Sequence, residues 1–386
     1  MQATNQTFQR YYNRALVLRR IWMDGRSTRV DLSRLLGLKK SSISHIVAEL
    51  LAYGIILEKE LGTSTIAGGR KPRFLELHAN FSGFLGIEIQ PNRYSGALLN
   101  LNGDVLHTWE GKLHTYNDGF SASLTQIYHE ISTTMPHGLP PVAGVCLGVP
   151  GYVDPYSNTI LYSVPHGLRT QKVEDFSPIL NSPVFVENDA NCCAWGELIV
   201  DRGRVQDDFL TILLEFQERN PKLGQDFGIS TGFGVVIDGR IHYGKQFTAG
   251  EFRSLFWKTG NKSQMGMEDI SIQRVQKRPE ILDDYLVELL RNLTPLISVM
   301  NPQGVIFCGD GRALLPRIQT LVEQKLTNEY LGTEELGSLL TACSYPTHNV
   351  AIGAAARLLQ ILFEQPRLST DSPRIGIGWD EFLKVD

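Results

Sequence analysis

An aspartate flanked by asparagines, Asn188-Asp189-Ala190-Asn191, follows directly on the apolar run Val184 to Glu187 and precedes a helical stretch from Cys192 to Asp201. Polar groups at the carboxyl ends of buried strands are where α/β folds hold their ligands. An ionised carboxylate there accepts hydrogen bonds only, so it can take them from the hydroxyls of a polyol or remove a proton from one. The spacing alone does not choose between holding a ligand and reacting with it. A different chemistry gathers near the N-terminus, where Lys39, Lys40, Ser41, Ser42, Ser44 and His45 crowd together. Lysines neutralise phosphates, while short hydroxyls and an imidazole reach phosphates or base edges. Farther on, Gly68-Gly69-Arg70-Lys71-Pro72-Arg73 is an extended cationic segment of the kind that enters a narrow, electronegative minor groove.

These residues need elements to hold them. Leu18, Ile21 and Trp22 recur at helical spacing within Tyr11 to Met23, and Gly25 ends that helix. Thr28 with Asp31 is a capping box with Asp in place of Glu, opening a second helix through Leu32, Leu35 and Leu36 to Gly37. A third is predicted over Lys40 to Tyr53, its inner stripe Ile43, Ile46, Val47, Leu50 and Leu51, with Gly54 as its stop. Ile55 to Glu60 and Arg73 to Leu77 read as the two strands of a wing. The whole is a winged helix-turn-helix whose third helix faces the major groove, against the plainer alternative of a small helical domain with solvated charges. From Gly83 the pattern changes to strands alternating with helices, an α/β body. Its strands are predicted at Phe84 to Ile89, Arg93 to Leu101, Val105 to Leu113, Val142 to Val149, Val184 to Glu187, Thr211 to Glu215 and Gly304 to Cys308. Gly228 to Gly239 reads as a glycine-bearing turn and a strand, and Ser121 to Thr134 and Leu314 to Leu326 as helices.

Length and charge agree with a division. At 386 residues the chain exceeds a single core, so two or three domains are expected. The net charge of −4 conceals an asymmetry: residues 1–80 carry 13 Lys+Arg against 6 Asp+Glu, leaving 24 against 35 for the rest, so a +7 module precedes a −11 body. A basic module beside an acidic body points to a polyanionic partner for the first. Apolar stretches are broken well short of the ~20 residues of a membrane span, and five cysteines without a C-x-x-C pair fit reduced thiols, so a cytoplasmic chain away from membranes is expected.

Several segments of the body resemble the ROK family, which takes in bacterial sugar-responsive repressors and sugar kinases. They are Val149-Pro150-Gly151-Tyr152-Val153-Asp154, Glu187-Asn188-Asp189-Ala190-Asn191, Thr248-Ala249-Gly250-Glu251, and Asn301-Pro302 ahead of Gly309-Asp310-Gly311. The resemblance implies an actin-like (ribonuclease H-like) domain of two lobes with a sugar in the cleft. With the winged helix-turn-helix in front, the chain is similar to the repressor branch, of the kind that senses xylose, glucose or N-acetylglucosamine derivatives. The implied division is 1–80 for the DNA-binding domain, 81–190 for the first lobe, completed by a helix near 350–365, 191–349 for the second lobe, and 366–386 for a tail. In the family kinases the residue matching Asp189 is the general base. Those kinases also carry D-x-G-G-T on the first strand turn, where this chain has Glu88-Ile89-Gln90-Pro91-Asn92. Gln90 adds bulk and Pro91 removes a donor, so ATP binding and kinase activity are not expected. Ser230-Thr231-Gly232-Phe233-Gly234 keeps part of the second phosphate turn. The family zinc site is a His and three Cys, whereas here Ser254 holds the histidine's place and Trp257 to Glu268 contain no cysteine, so no zinc is expected.

The acceptors left for a polyol are Asn188, Asp189 and Glu251, with Glu268 and His166 as further candidates by alignment. A satisfied core or surface histidine is the alternative for His166, and a structural carboxylate network the alternative for the other group. The chain is expected to be a homodimeric or higher-order regulator, a repressor on a palindromic operator released by a sugar effector. The competing expectations are an ATP-dependent sugar kinase with a fused DNA module, and a regulator with a non-sugar ligand.

Overall fold

The fold is taken from a computed structural model, which describes residues 2–60, 73–114, 118–200, 207–217, 228–326 and 333–363. The N-terminal region contains α1 (Gln2–Asp24), β1 (Ser27–Thr28), α2 (Arg29–Leu36), α3 (Lys40–Ala52), β2 (Ile56–Glu60) and β3 (Arg73–Leu77). Its boundaries follow from local chemistry. Thr28 caps α2, its Oγ1 accepting the Asp31 N–H at 3.1 Å while the hydroxyl donates to Asp31 Oδ2 at 2.7 Å. Asp31 thus answers through the hydroxyl of the cap, the shorter side chain replacing the Glu of a capping box. Gly37 closes α2 at φ 65°, a left-handed conformation that favours glycine. Ile43, Ile46, Val47 and Leu50 of α3 share a core with Leu18 and Ile21 of α1 and Leu32 of α2. The strands pair antiparallel in the order β1-β3-β2, and α2 and α3 are arranged consistently with a helix-turn-helix. The first helix begins at Gln2 instead of Tyr11, because the polar residues ahead of Tyr11 add no stripe but extend a helix already nucleated by its anchored half.

The body has two five-stranded sheets of one design and a third, small sheet of three strands. The first comprises β4 (Gly83–Ile89), β5 (Arg93–Asn100), β6 (Val105–Lys112), β7 (Val142–Val149) and β11 (Val184–Asn188), with α4 (Phe120–Thr134) between β6 and β7. Between β7 and β11 lie β8 (Tyr152–Asp154), β9 (Thr159–Ser163), β10 (Leu168–Lys172) and the short α5 (Ser177–Leu180). The order is β11-β7-β4-β5-β6, parallel across β11, β7 and β4 and antiparallel beyond. Then α6 (Asp189–Val200) leads to the second sheet: β12 (Phe209–Phe216), β13 (Ile229–Ile237), β14 (Arg240–Ile241), α7 (Asp269–Ile272), α8 (Pro279–Met300), β15 (Gly304–Gly309), α9 (Asp310–Leu321), α10 (Thr333–Leu339) and β16 (Leu340–Ala342). Its order, β14-β13-β12-β15-β16, repeats the first sheet's pattern of parallel and antiparallel neighbours. The central strands β4 and β7 are almost entirely buried, and Glu88 is their one charged residue.

The last element, α11 (Asn349–Phe363), returns to the first sheet. It fits because glycine faces it: a Cβ on Gly86 would stand 1.9 Å from the Ala351 carbonyl oxygen, and one on Gly353 1.6 Å from that of Cys192 in α6. The same principle corrects an expectation in the second lobe. Ser230 to Gly234 is the middle of one continuous strand, β13, not a turn. Its glycines admit α6, since a Cβ on Gly234 would lie 2.7 Å from the Ala190 carbonyl oxygen. No helix among the described residues is long and apolar enough to cross a membrane. The segment 364–386, including the expected tail, lies outside the described residues.

Candidate functional site

A cavity of about 330 Å³ opens between the two sheets. Its first wall is the turn after β7 (Pro150, Gly151, Tyr152), Tyr162 of β9 and the start of α6, and its second is β13 with the segments around Phe247 to Glu251 and Lys262 to Gln264. Asn188, Asp189 and Glu251 all line it. Asn188 is also part of the frame: its Nδ2 donates to the Gly151 carbonyl at 3.0 Å and its Oδ1 accepts the Asn191 N–H at 3.1 Å, locking the turn after β7 to the first turn of α6. Asp189 is buried as the first residue of α6, one oxygen accepting the Ala190 N–H at 2.8 Å. Burial pushes its carboxyl up to about 6; the Ala190 N–H opposes this and nearby Glu88 adds to it. Glu251 stands at the open mouth. Removal from water on its inner side, and then the charge of Asp189, raise it to about 7. Two acceptors of like charge thus face one space, an arrangement that donors of a ligand's hydroxyls relieve.

The other two candidates stand apart, and neither lines the cavity. His166 Nε2 lies 2.9 Å from the Ile89 carbonyl oxygen and its ring meets Phe120 edge-on. Burial lowers it to about 4, so the imidazole is neutral and serves as packing, the alternative reading of this residue. Glu268 is exposed and caps α7 through its backbone. Their places in the motifs say nothing of depth. Residues the sequence did not single out include Phe233 and Phe247, which give the cavity its aromatic surface, and Gln264. An apolar face beside carboxylates matches the mixed surface of a sugar ring.

Around Glu88-Ile89-Gln90-Pro91-Asn92 the lobes are joined by side chains. Gln90 Nε2 donates to Glu215 Oε2 of β12 at 2.6 Å, Arg93 Nη2 approaches Glu215 Oε1 at 3.2 Å, and Ser95 Oγ donates to Glu88 Oε2 at 2.7 Å. Burial and the neighbouring Glu88 hold the Glu215 carboxyl well above the usual carboxylate range. Ser254 is likewise committed: its Oγ accepts the Phe256 N–H and the Asn292 Nδ2, each at 3.1 Å. Gln264 pins the same segment to β13, accepting the Thr231 N–H at 2.9 Å and donating to the Thr231 carbonyl at 2.6 Å. Among the described residues no three His, Cys, Asp or Glu side chains are placed to hold a metal ion.

At the other end of the molecule, Lys39, Lys40, Ser41, Ser44 and His45 are exposed along the start of α3, and Ser42 is half-buried beside Ile43. Arg73 opens β3 and donates to Glu58 Oε2 at 3.1 Å, an exposed pair that constrains it little. Arg70 and Lys71 lie outside the described residues.

Comparison with known proteins is consistent across the chain. It is 26% identical over 338 residues to the xylose repressor of Bacillus spizizenii, covering 79% of this chain and 84% of that one. Among solved structures, a ROK family transcriptional regulator described as a homologue of the E. coli MLC protein superposes with a TM-score of 0.71 at 19% identity, over 92% of this chain and 97% of that one. A ROK family glucokinase from Streptomyces griseus, in complex with glucose and AMPPNP, gives 0.53 at 19% identity over 71% and 98%. At these identities the structures speak for the fold, an actin-like, sugar-kinase-like pair of lobes. The ROK family model matches residues 84–253, and with it the turn after β7, the start of α6 and Glu251. The likeness to the ROK family is thus carried by residues 84–253, the span that its model matches.

Proposed function

We propose that the chain is a DNA-binding transcriptional repressor whose operator affinity is set by a sugar in the interlobe cavity. The observation that carries this is the pairing, in one chain, of an exposed Lys-Ser-His face on α3 with a cavity lined by Asp189, Glu251 and aromatic rings. Similarity to xylose repressors supports both halves. The cavity lies at the small end of the roughly 300–1,000 Å³ usual for small-molecule sites, which suits a monosaccharide. In this reading residues 1–80 are a winged helix-turn-helix, with Lys39, Lys40, Ser41, Ser42, Ser44, His45 and the wing residues Arg70, Lys71 and Arg73 at the DNA. Two copies form the working unit, because one short half-site gives little affinity and two coupled heads on a palindrome give avidity.

The sugar is bound without being phosphorylated. A phosphate brought to Gln90 would meet the side chains of Glu88 and Glu215, already engaged by Gln90 and Arg93, instead of a cradle of backbone donors. Zinc does not fit either, since Ser254 is already bonded to Phe256 and Asn292, and amide side chains hold the segment that a metal would organise. Isothermal titration with pentoses, hexoses and their phosphates, paired with an ADP-release assay, tests the whole reading. Sugar binding with no ADP release is expected; turnover that Asp189→Asn abolishes would restore the kinase alternative.

A further inference from the structure

Glu187 is fully buried beneath the cavity, and five groups converge on its carboxylate. Oε1 accepts the Asn188 N–H at 2.9 Å and the Asn191 Nδ2 at 3.3 Å. Oε2 accepts the Trp195 Nε1 at 3.1 Å and the Tyr243 hydroxyl at 2.6 Å, and Arg357 Nε of α11 stands 3.2 Å away. Each partner comes from a different part of the machine. Asn188 and Asn191 frame Asp189. Tyr243 begins the segment of the second lobe that runs on to Phe247 and Glu251, and Tyr156 packs against both Tyr243 and Phe247. Arg357, itself fully buried, is also held by the Pro155 carbonyl at 3.1 Å.

The far end of α11 reaches the N-terminal head. Phe363, six residues or about 9 Å of helix beyond Arg357, stacks on Trp22 of α1 with ring centroids 5.3 Å apart. Trp22 Nε1 donates to the Asn102 carbonyl at 3.0 Å, so the ring is clamped between α11 and the turn after β5. A fully buried ion pair contributes little net stability against a packed apolar substitute, so stability alone does not account for Glu187 and Arg357. A rigid helix joining them to a ring stack at the head does.

We propose that Glu187 is the positioning residue of the cavity and that α11, gripped by it through Arg357 and stacked on Trp22 through Phe363, transmits cavity occupancy to the DNA-binding head. The inference rests on the repressor reading above. A sugar that draws Glu251 and its segment toward Asp189 moves Tyr243, and Tyr243 and Arg357 share one carboxylate oxygen. A shift of α11 along its axis is then felt at Trp22, which orients α1 and the helices packed on it.

The test uses the full-length protein, D-xylose and D-glucose, and a duplex selected by the protein from random DNA. Operator dissociation constants with and without saturating sugar give a coupling ratio, which in allosteric proteins is typically about 5- to 150-fold. Phe363→Leu removes the ring stack but stays apolar, and it should bring the ratio to within about twofold of unity while each separate affinity stays within about threefold of wild type. Trp22→Phe keeps a stacked ring and should keep the ratio. Tyr243→Phe removes only the bond to Glu187 and should lower the ratio as Phe363→Leu does, which covers poor folding of the first variant. A wild-type ratio well above one that survives both Phe363→Leu and Tyr243→Phe overturns the route alone. A wild-type ratio of one with every sugar refutes sugar sensing itself, and the route falls with it.

Discussion

Asp189→Asn should weaken the protein's function and strengthen its fold. The Asp189 carboxyl is buried, and its value rises from an ordinary 3.8 to about 6. At ~1.4 kcal/mol per tenfold change in proton affinity, the folded state favours the neutral form by about 3 kcal/mol relative to the unfolded chain. A carboxyl raised on folding stabilises fully below its unfolded value, and that contribution is lost as pH climbs from 3.8 through about 6, reaching a plateau above. Asparagine keeps the shape and the acceptor for the Ala190 N–H but has no charge to desolvate. Denaturant unfolding of the two proteins, followed by tryptophan fluorescence from pH 4 to 8, should show the variant gaining on wild type by about 2–3 kcal/mol across that interval. Sugar affinity should fall at least ~10-fold, as expected when a charged acceptor is lost. A stability difference that does not vary with pH, or a variant less stable than wild type at pH 8, would refute the electrostatic account of this residue.

Three further outcomes are expected. Lys39→Ala and Lys40→Ala should weaken DNA binding by similar factors on specific and random duplexes, and each should lower the slope of log affinity against log salt by about 1; an unchanged slope removes that lysine from the interface. Gly353→Ala places a Cβ 1.6 Å from the Cys192 carbonyl, a backbone clash that should cost at least about 3 kcal/mol in denaturant unfolding, and a loss under 1 kcal/mol would contradict the packing of α11 on α6. Chelation with EDTA should leave sugar affinity unchanged while Asn292→Ala, which frees Ser254 and the Leu255 N–H, lowers it; a chelator-sensitive affinity would argue for a metal.

The N-terminal region was legible because its signals are local. Helical stripes, the Thr28 cap and the Gly37 stop each act within a turn or two, and the exposed set on α3 is the complement of its buried stripe. The long strands of the body were equally open to inspection, since apolar runs such as Val142 to Val149 have no other stable use, whereas the short β8, β9, β10, β14 and β16 carried too little pattern to be read. Contacts between distant segments were not. Gly232 and Gly234 resembled a turn because their reason, the approach of α6, lies some forty residues away in sequence. Asp189 and Glu251 could be proposed as acceptors, but whether they face one space depends on how the lobes meet. His166 and Glu268 show the converse, polar residues near the right motifs whose side chains the fold sends elsewhere. Arg357 carried no signal at all, being one cation in an apolar helix until Glu187 is placed beside it.

The most direct test of sugar-responsive DNA binding is a single titration of D-xylose into a preformed complex of the protein with its selected duplex, read by fluorescence anisotropy at fixed salt. The account predicts release of DNA at sugar concentrations matching the calorimetric affinity, and for Asp189→Asn a release midpoint moved to at least ~10-fold higher sugar. Sugar that binds to saturation while the anisotropy stays constant would contradict it.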